Sequence, residues 1–136
     1  MNKEIKILIV EDDGFAQALM SEMLTHLCEE KGLVPKIFTT TTCPESLKVA
    51  DEHPEIALIF LDASLDREQR LDTCELARQL VQLCPYSFRV ATSSDWRNNY
   101  RLMAAGCHVP FLKPSMILEV WMVATLTMAI AQMPPK

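Results

Sequence analysis

No two cysteines in this chain stand at C-x-x-C spacing, and the five present (Cys28, Cys43, Cys74, Cys84 and Cys107) are odd in number. The three histidines, His26, His53 and His108, are equally scattered. That spacing excludes a zinc site built on paired ligands and a disulfide framework. The expectation is reduced, mostly buried thiols in a cytoplasmic protein. Excess positive charge is lacking as well: 13 Lys and Arg against 18 Asp and Glu give a net charge of −5. Such a chain has no electrostatic grip on a nucleic-acid backbone or an anionic membrane, so neither is expected as a direct partner. The start, "MNKEIKILIVEDD", turns acidic too early for a signal peptide. Internal repeats and low-complexity tracts are absent. Only residues 132–136, "QMPPK", would suit the beginning of a linker.

What is present fits one ordinary domain: 136 residues, 49% hydrophobic and 23% charged. "IKILIV" (Ile5–Val10) is a short apolar run rich in β-branched residues and predicts a buried strand. Asp13 can cap a helix over 14–31, with Phe15, Leu19, Met23 and Leu27 as its inward face and Gly32 as its stop. "VPKIFTT" (Val34–Thr40) is a second strand, and Thr42 with Glu45 has capping-box spacing for a helix to about Glu52. "IALIFL" (Ile56–Leu61) predicts a third strand, apolar on both faces. The Asp72/Glu75 pair starts a helix to about Cys84. "FRVAT" (Phe88–Thr92), a helix over 95–105 closed by Gly106, an edge strand "VPFL" (Val109–Leu112) and a helix from Ser115 to about Met133 complete the pattern. Strand and helix thus alternate five times. Strands apolar on both faces imply a parallel α/β sheet covered by helices on both sides.

In such sheets, ligands collect outside the carboxyl ends of the strands. The residues that follow the strands are Glu11 and Asp12, then Asp62, then Thr92, then Lys113. Any one of them alone reads as a solvated loop residue or a cap. Together they put three carboxylates, a hydroxyl and an ammonium on one sheet edge. Clustered carboxylates repel unless a cation sits among them. A hard divalent ion with oxygen ligands answers that, and Mg²⁺ is the usual choice beside phosphate. A carboxylate can also attack phosphorus to give an aspartyl-phosphate, with Lys113 and a cation offsetting charge on the transferring group and Thr92 donating a hydrogen bond to it.

The motifs "ILIVEDD" (Ile7–Asp13), "LIFLD" (Leu58–Asp62), "RVATS" (Arg89–Ser93) and "FLKP" (Phe111–Pro114) make the chain resemble, over nearly its whole length, a receiver domain of bacterial two-component response regulators. The resemblance implies a CheY-like, flavodoxin-like fold with a five-stranded parallel sheet in the order 2-1-3-4-5. It implies that Asp62 is the phosphoacceptor, loaded by a histidine kinase or a histidine phosphotransfer protein. Mg²⁺ would be held by Glu11, Asp12, Asp62 and the backbone carbonyl of Ser64, and the phosphoryl oxygens contacted by Thr92 and Lys113. Ala91 and Ser93 are the alternative matches at the hydroxyl position, and Thr92 is preferred because it directly follows the apolar run. Two departures stand out: "ASLDREQRLDT" (Ala63–Thr73) lacks the proline and glycine usual after the acceptor, and Pro110 occupies a position that is often aromatic.

The last helix carries one charge, Glu119, between Met116 and Met133. Glu119, Thr125 and Thr127 interrupt it, and the fold needs it as a cover, so a membrane span is not the expected reading. A helix so short of a polar outer face suits a homodimer surface, with Trp121 as an anchor. The function expected is a non-enzymatic, phosphorylation-switched signalling module. The alternatives are a receiver-like binding module that is never phosphorylated and, less favoured, a phosphatase with an aspartate nucleophile. Such an enzyme usually carries a second acid where this chain has Ser64.

Overall fold

The computed structural model describes residues 3–62, 72–111 and 119–134. Alternation along the first strand sets the layers. In β1 (Lys3–Val10), Ile5, Ile7 and Ile9 join the core on one face of the sheet, while Leu8 and Val10 join the core on the other. The first face is covered by α1 (Gly14–Glu30) and α5 (Glu119–Gln132), which contribute Met20, Leu24, Leu27, Met122, Leu126 and Ala129. The second is covered by α2 (Cys43–Glu52), α3 (Thr73–Leu83) and α4 (Trp96–Ala105), which contribute Ala50, Leu76, Leu80 and Leu102 among others. The other strands are β2 (Leu33–Thr40), β3 (Leu58–Leu61), β4 (Phe88–Ala91) and β5 (Val109–Pro110). All pair in parallel, in the order β2-β1-β3-β4-β5. This is the α/β architecture and strand order expected from the sequence. Every residue of β3 and β4 is buried, as two-sided cover requires.

The caps follow the sequence closely. Asp13 Oδ1 accepts the amides of Phe15 (2.9 Å) and Ala16 (3.2 Å), and Asp72 Oδ1 accepts that of Glu75 (3.0 Å). Thr42 Oγ1 accepts the Glu45 amide at 3.3 Å, but the Glu45 carboxylate returns to the Thr41 amide (3.1 Å), one residue earlier than a strict capping box.

The face of α1 is a correction. Its buried residues are Met20, Leu24, Leu27 and Cys28, whereas Phe15 is 78% exposed and Leu19 and Met23 are only half-buried. Apolar residues occupy more than one stripe of this helix, so spacing alone does not choose between them. Contact with the sheet and α5 does, and Phe15 in the first turn lies beyond that contact. β3 begins at Leu58 rather than Ile56, and among the described residues β5 pairs through Val109 and Pro110. Leu112, and Ser115 as cap of the last helix, lie outside the described residues. Four of the five cysteines are buried, and none of the five is in a disulfide. Burial pushes Cys28 and Cys84 up to about 11 and Cys107 to about 12, which keeps them neutral. Among the described residues, no helix is long and apolar enough to cross a membrane.

At the corner between α4 and β5, Arg89 is buried. Its Nε donates to the Gly106 carbonyl (2.9 Å), and its Nη1 donates to the carbonyl (2.9 Å) and hydroxyl (3.0 Å) of Ser87. Its own amide donates to His108 Nδ1 at 3.0 Å, and the His108 ring stacks on Phe88 with centroids 4.9 Å apart. That bond requires an unprotonated Nδ1. Desolvation, then the nearby Arg89 charge, hold His108 below the ordinary histidine value of 6.5. Gly106 ends α4 at φ 128°, where a Cβ would meet Val81 Cγ2 at 2.5 Å.

Two predictions follow from this corner. Gly106→Ala is expected to lower unfolding stability by roughly 1–3 kcal/mol in urea titration, through both the clash and the positive φ. Gly14→Ala, with nothing within 4 Å of the added carbon, serves as the control. Equal stability of the two variants would refute the assigned strain. For His108, the folded-state pKa is depressed, so the stability it confers is complete above pH 6.5 and lost as pH falls through the lower folded value. Wild type should therefore lose more stability on acidification across that window than His108→Asn, measured by denaturation in parallel. Parallel pH profiles would dismiss the neutral-ring contact.

Candidate functional site

Four of the five strands, β1, β3, β4 and β5, are each followed by one backbone hydrogen bond that extends the parallel pairing past its end. The Glu11 amide donates to the Thr40 carbonyl (3.0 Å), Asp62 to Val10 (3.1 Å), Thr92 to Leu61 (3.0 Å) and Phe111 to Ala91 (2.8 Å). These bonds fix the exit residues of β1, β3, β4 and β5 in a row along the carboxyl edge of the sheet. The consequence for the acids is direct: one carboxylate oxygen from each of Glu11, Asp12 and Asp62 lies within 4.8 Å of the others. Asp62 is wholly buried, Glu11 is 2% exposed and Asp12 is open to solvent. Thr92, 3% exposed, stands one residue past β4, next to the strand that carries Asp62.

The turn after β1 is held by its own side chains. Asp13 is spent on capping α1, as expected, and its amide points at Glu11 Oε2 at 3.5 Å. Gln17 Nε2 donates to the carbonyls of Glu11 (3.1 Å) and Thr40 (3.4 Å), binding the first turn of α1 to the edge of the sheet. Sequence reasoning missed Gln17. The available signal was a polar side chain one turn after the Asp13 cap, close enough to fold back on the strand end. Of the other expected site residues, Lys113 and Ser64 lie outside the described residues, as does most of the loop that follows Asp62.

The donor set suits a hard divalent cation. It is all oxygen, it concentrates like charge, and two of its members are withdrawn from water, where a nearby cation stabilises the ionised form. Glu11 and Asp62 alone are too close and too buried for a surface acid pair, while Asp12 opens the cluster to solvent.

No protein-family model matches the chain, and no curated protein matches it. Solved structures do. The response regulatory domain of protein mrkE from Klebsiella pneumoniae superposes with a TM-score of 0.73 at 22% identity, covering 93% of this chain and 96% of that one. A CheY-like response regulator receiver domain protein from Methanospirillum hungatei JF-1 gives 0.69 at 19% identity, with 97% of both chains covered. A response regulator protein from Burkholderia pseudomallei, solved with a phosphorylated aspartic acid, a calcium ion and citrate, gives 0.68 at 18% identity over 93% of this chain and 69% of that one.

The acid cluster makes a prediction of its own. Without divalent cations, Asp12→Asn should unfold at a higher temperature than wild type, because one repelling charge is gone. Millimolar Mg²⁺ should raise the wild-type midpoint, by about 2.7 kcal/mol of stability at a hundredfold excess over Kd, and leave Asp12→Asn nearly unmoved. Calorimetry with and without chelator reads both effects, and an equal Mg²⁺ response in the two proteins would remove Asp12 from the ligand set. In fold and strand order, the chain is similar to solved response-regulator receiver domains.

Proposed function

We propose that this chain is a phosphoacceptor receiver in a two-component signalling pathway, with Asp62 as the residue that takes the phosphoryl group. One observation carries the reading: a buried aspartate at the carboxyl end of a central strand shares a 4.8 Å cluster with Glu11 and Asp12. The phosphorylated aspartic acid and calcium ion of the Burkholderia pseudomallei protein support it by analogy of fold.

In the proposed reaction, an Asp62 carboxylate oxygen attacks the phosphorus of a phosphohistidine on a kinase or phosphotransfer protein. The new P–O bond forms as the P–N bond breaks. The imidazole leaves with the bonding electrons and takes up a proton from solvent. Glu11, Asp12 and Asp62, with the Ser64 carbonyl, are the residues that would hold Mg²⁺, which when bound supplies positive charge against the phosphoryl oxygens. In this reading the Thr92 hydroxyl donates to one phosphoryl oxygen and the Lys113 ammonium pairs with another.

The added charge at Asp62 gives Thr92 a new partner and biases the loop after β4. Self-association through α5 belongs to the same proposal. Its outward residues Ala124, Thr127, Met128 and Ala131 are uncharged, while Met122, Thr125, Leu126 and Ala129 are taken up against the sheet. A cytoplasmic setting, where such kinases present their histidines, completes the reading.

The test is mass spectrometry after incubation with a small phosphodonor and Mg²⁺. Wild type should gain one phosphoryl group that hydroxylamine removes, as expected of an acyl phosphate, and Asp62→Asn should gain none. A phosphoryl group retained in Asp62→Asn would refute the acceptor. No gain in wild type, from small donors or from a phosphorylated phosphotransfer protein, would favour a receiver-like binding module that works without phosphorylation.

A further inference from the structure

The inward stripe of α4 is Asn99, Leu102 and Ala105. Leu102 and Ala105 enter the apolar core, but Asn99, 1% exposed, is an amide at the top of the same stripe. A buried amide is tolerated only where its hydrogen bonds are made. Here its Oδ1 accepts the Ser93 amide at 2.8 Å, and its Nδ2 donates to the Ser93 carbonyl (3.2 Å) and to the Phe111 carbonyl (3.1 Å). The first two bonds grip both backbone groups of one residue, as a neighbouring strand would. The third reaches across to the exit of β5.

The placement of these partners gives the contact its meaning. Ser93 directly follows Thr92, and Phe111 stands two residues before Lys113. Ser93 Oγ also accepts the Asp95 amide (3.1 Å), and Asp95 caps α4 through the Arg97 amide (2.9 Å). The segment from Thr92 to Asp95, the first turn of α4 and the end of β5 are therefore tied through one side chain. On the outer side of that turn, Trp96 and Tyr100 are 59% and 64% exposed and meet edge to face with centroids 5.1 Å apart. With Asn99 and Pro110 they border a cleft of about 180 Å³.

We propose that Asn99 is a positioning residue that transmits the state of the Asp62 site to the Trp96–Tyr100 cleft, by coupling the exit of β4 to the exit of β5. The transmission rests on the phosphoryl-site reading above, whereas the coupling itself stands on the three hydrogen bonds. When Thr92 is drawn toward a group on Asp62, Ser93 moves with it, and Asn99 carries both α4 and Phe111.

Backbone amide spectra of the full chain test this, with Mg²⁺ and beryllofluoride as the phosphoryl stand-in. Wild type should shift at Thr92 and Ser93 and also at Trp96, Tyr100 and Phe111. Asn99→Asp keeps the acceptor oxygen and loses both donations. It should retain the Thr92 and Ser93 shifts and lose about threefold or more at Trp96, Tyr100 and Phe111. Undiminished distant shifts in the variant overturn the proposal, and Asn99→Ser takes its place in the comparison if Asn99→Asp does not fold. In ligand-free protein, Asn99→Ala should speed amide exchange at Ser93 and Phe111 together by about tenfold, leaving β1 unchanged. Faster exchange at Ser93 alone overturns the coupling. A wild type silent at Thr92 overturns the phosphoryl-site reading instead, and the exchange arm still decides whether Asn99 couples the two exits.

Discussion

Four amide-to-carbonyl bonds past the strand ends are what the site rests on. Parallel pairing in β1, β3, β4 and β5 does not stop at the last strand residue. It runs one residue further, through the Glu11, Asp62, Thr92 and Phe111 amides. Because strand spacing is about 4.8 Å, a residue fixed one step past each of two neighbouring strands must lie close to its counterpart. The approach of Glu11 and Asp62 is thus a property of backbone geometry, which brings the two acidic groups together one step past their strands. Hydrophobic burial on both faces supplies the stability that keeps those groups in place.

The two faces of the sheet contribute differently. The side under α1 and α5 is almost wholly apolar, with Ile5, Ile7, Ile9, Phe60 and Val90 beneath Leu24, Met122 and Leu126. The side under α2, α3 and α4 carries more polar groups, among them Arg89 beneath the end of α4 and Asn99 at its beginning. Both reach backbone groups instead of charged partners. Both also sit where the chain must turn between a helix and a strand, so their polar atoms replace pairing that the turn would otherwise leave open. α4 is consequently tied at each end by a side-chain hydrogen bond, while its middle is held by Leu102.

How far the sequence carried can be judged from particular residues. The alternation of strand and helix, the strand order and the convergence of Glu11, Asp12 and Asp62 were legible. Unbroken apolar runs such as "LIFL" have few other homes, and the acids directly after the first and third runs, Glu11 and Asp62, leave little freedom of placement, whereas the strand order came with the receiver resemblance. The face of α1 was not legible, since Phe15, Leu19, Met20, Met23, Leu24 and Leu27 supply two overlapping stripes and only the packing partner selects one. Gln17 and Asn99 were missed for a related reason. A polar residue in a helix reads by default as solvent-facing, and its buried role depends on a carbonyl brought near by another part of the chain. Asn99 did leave a trace, three residues before Leu102 and six before Ala105 on one stripe, where an apolar residue would be expected.

The margins of the sheet differ from its centre in one further way. Among the described residues, β5 pairs over Val109 and Pro110, and proline has no amide hydrogen to offer. At the other margin, β2 is eight residues long but has Pro35 within it and Lys36 next to that. An approaching foreign strand would therefore find a broken template on either flank. Edge-to-edge polymerisation is disfavoured, and recognition of other molecules is left to helical surfaces and to the loops above the strands.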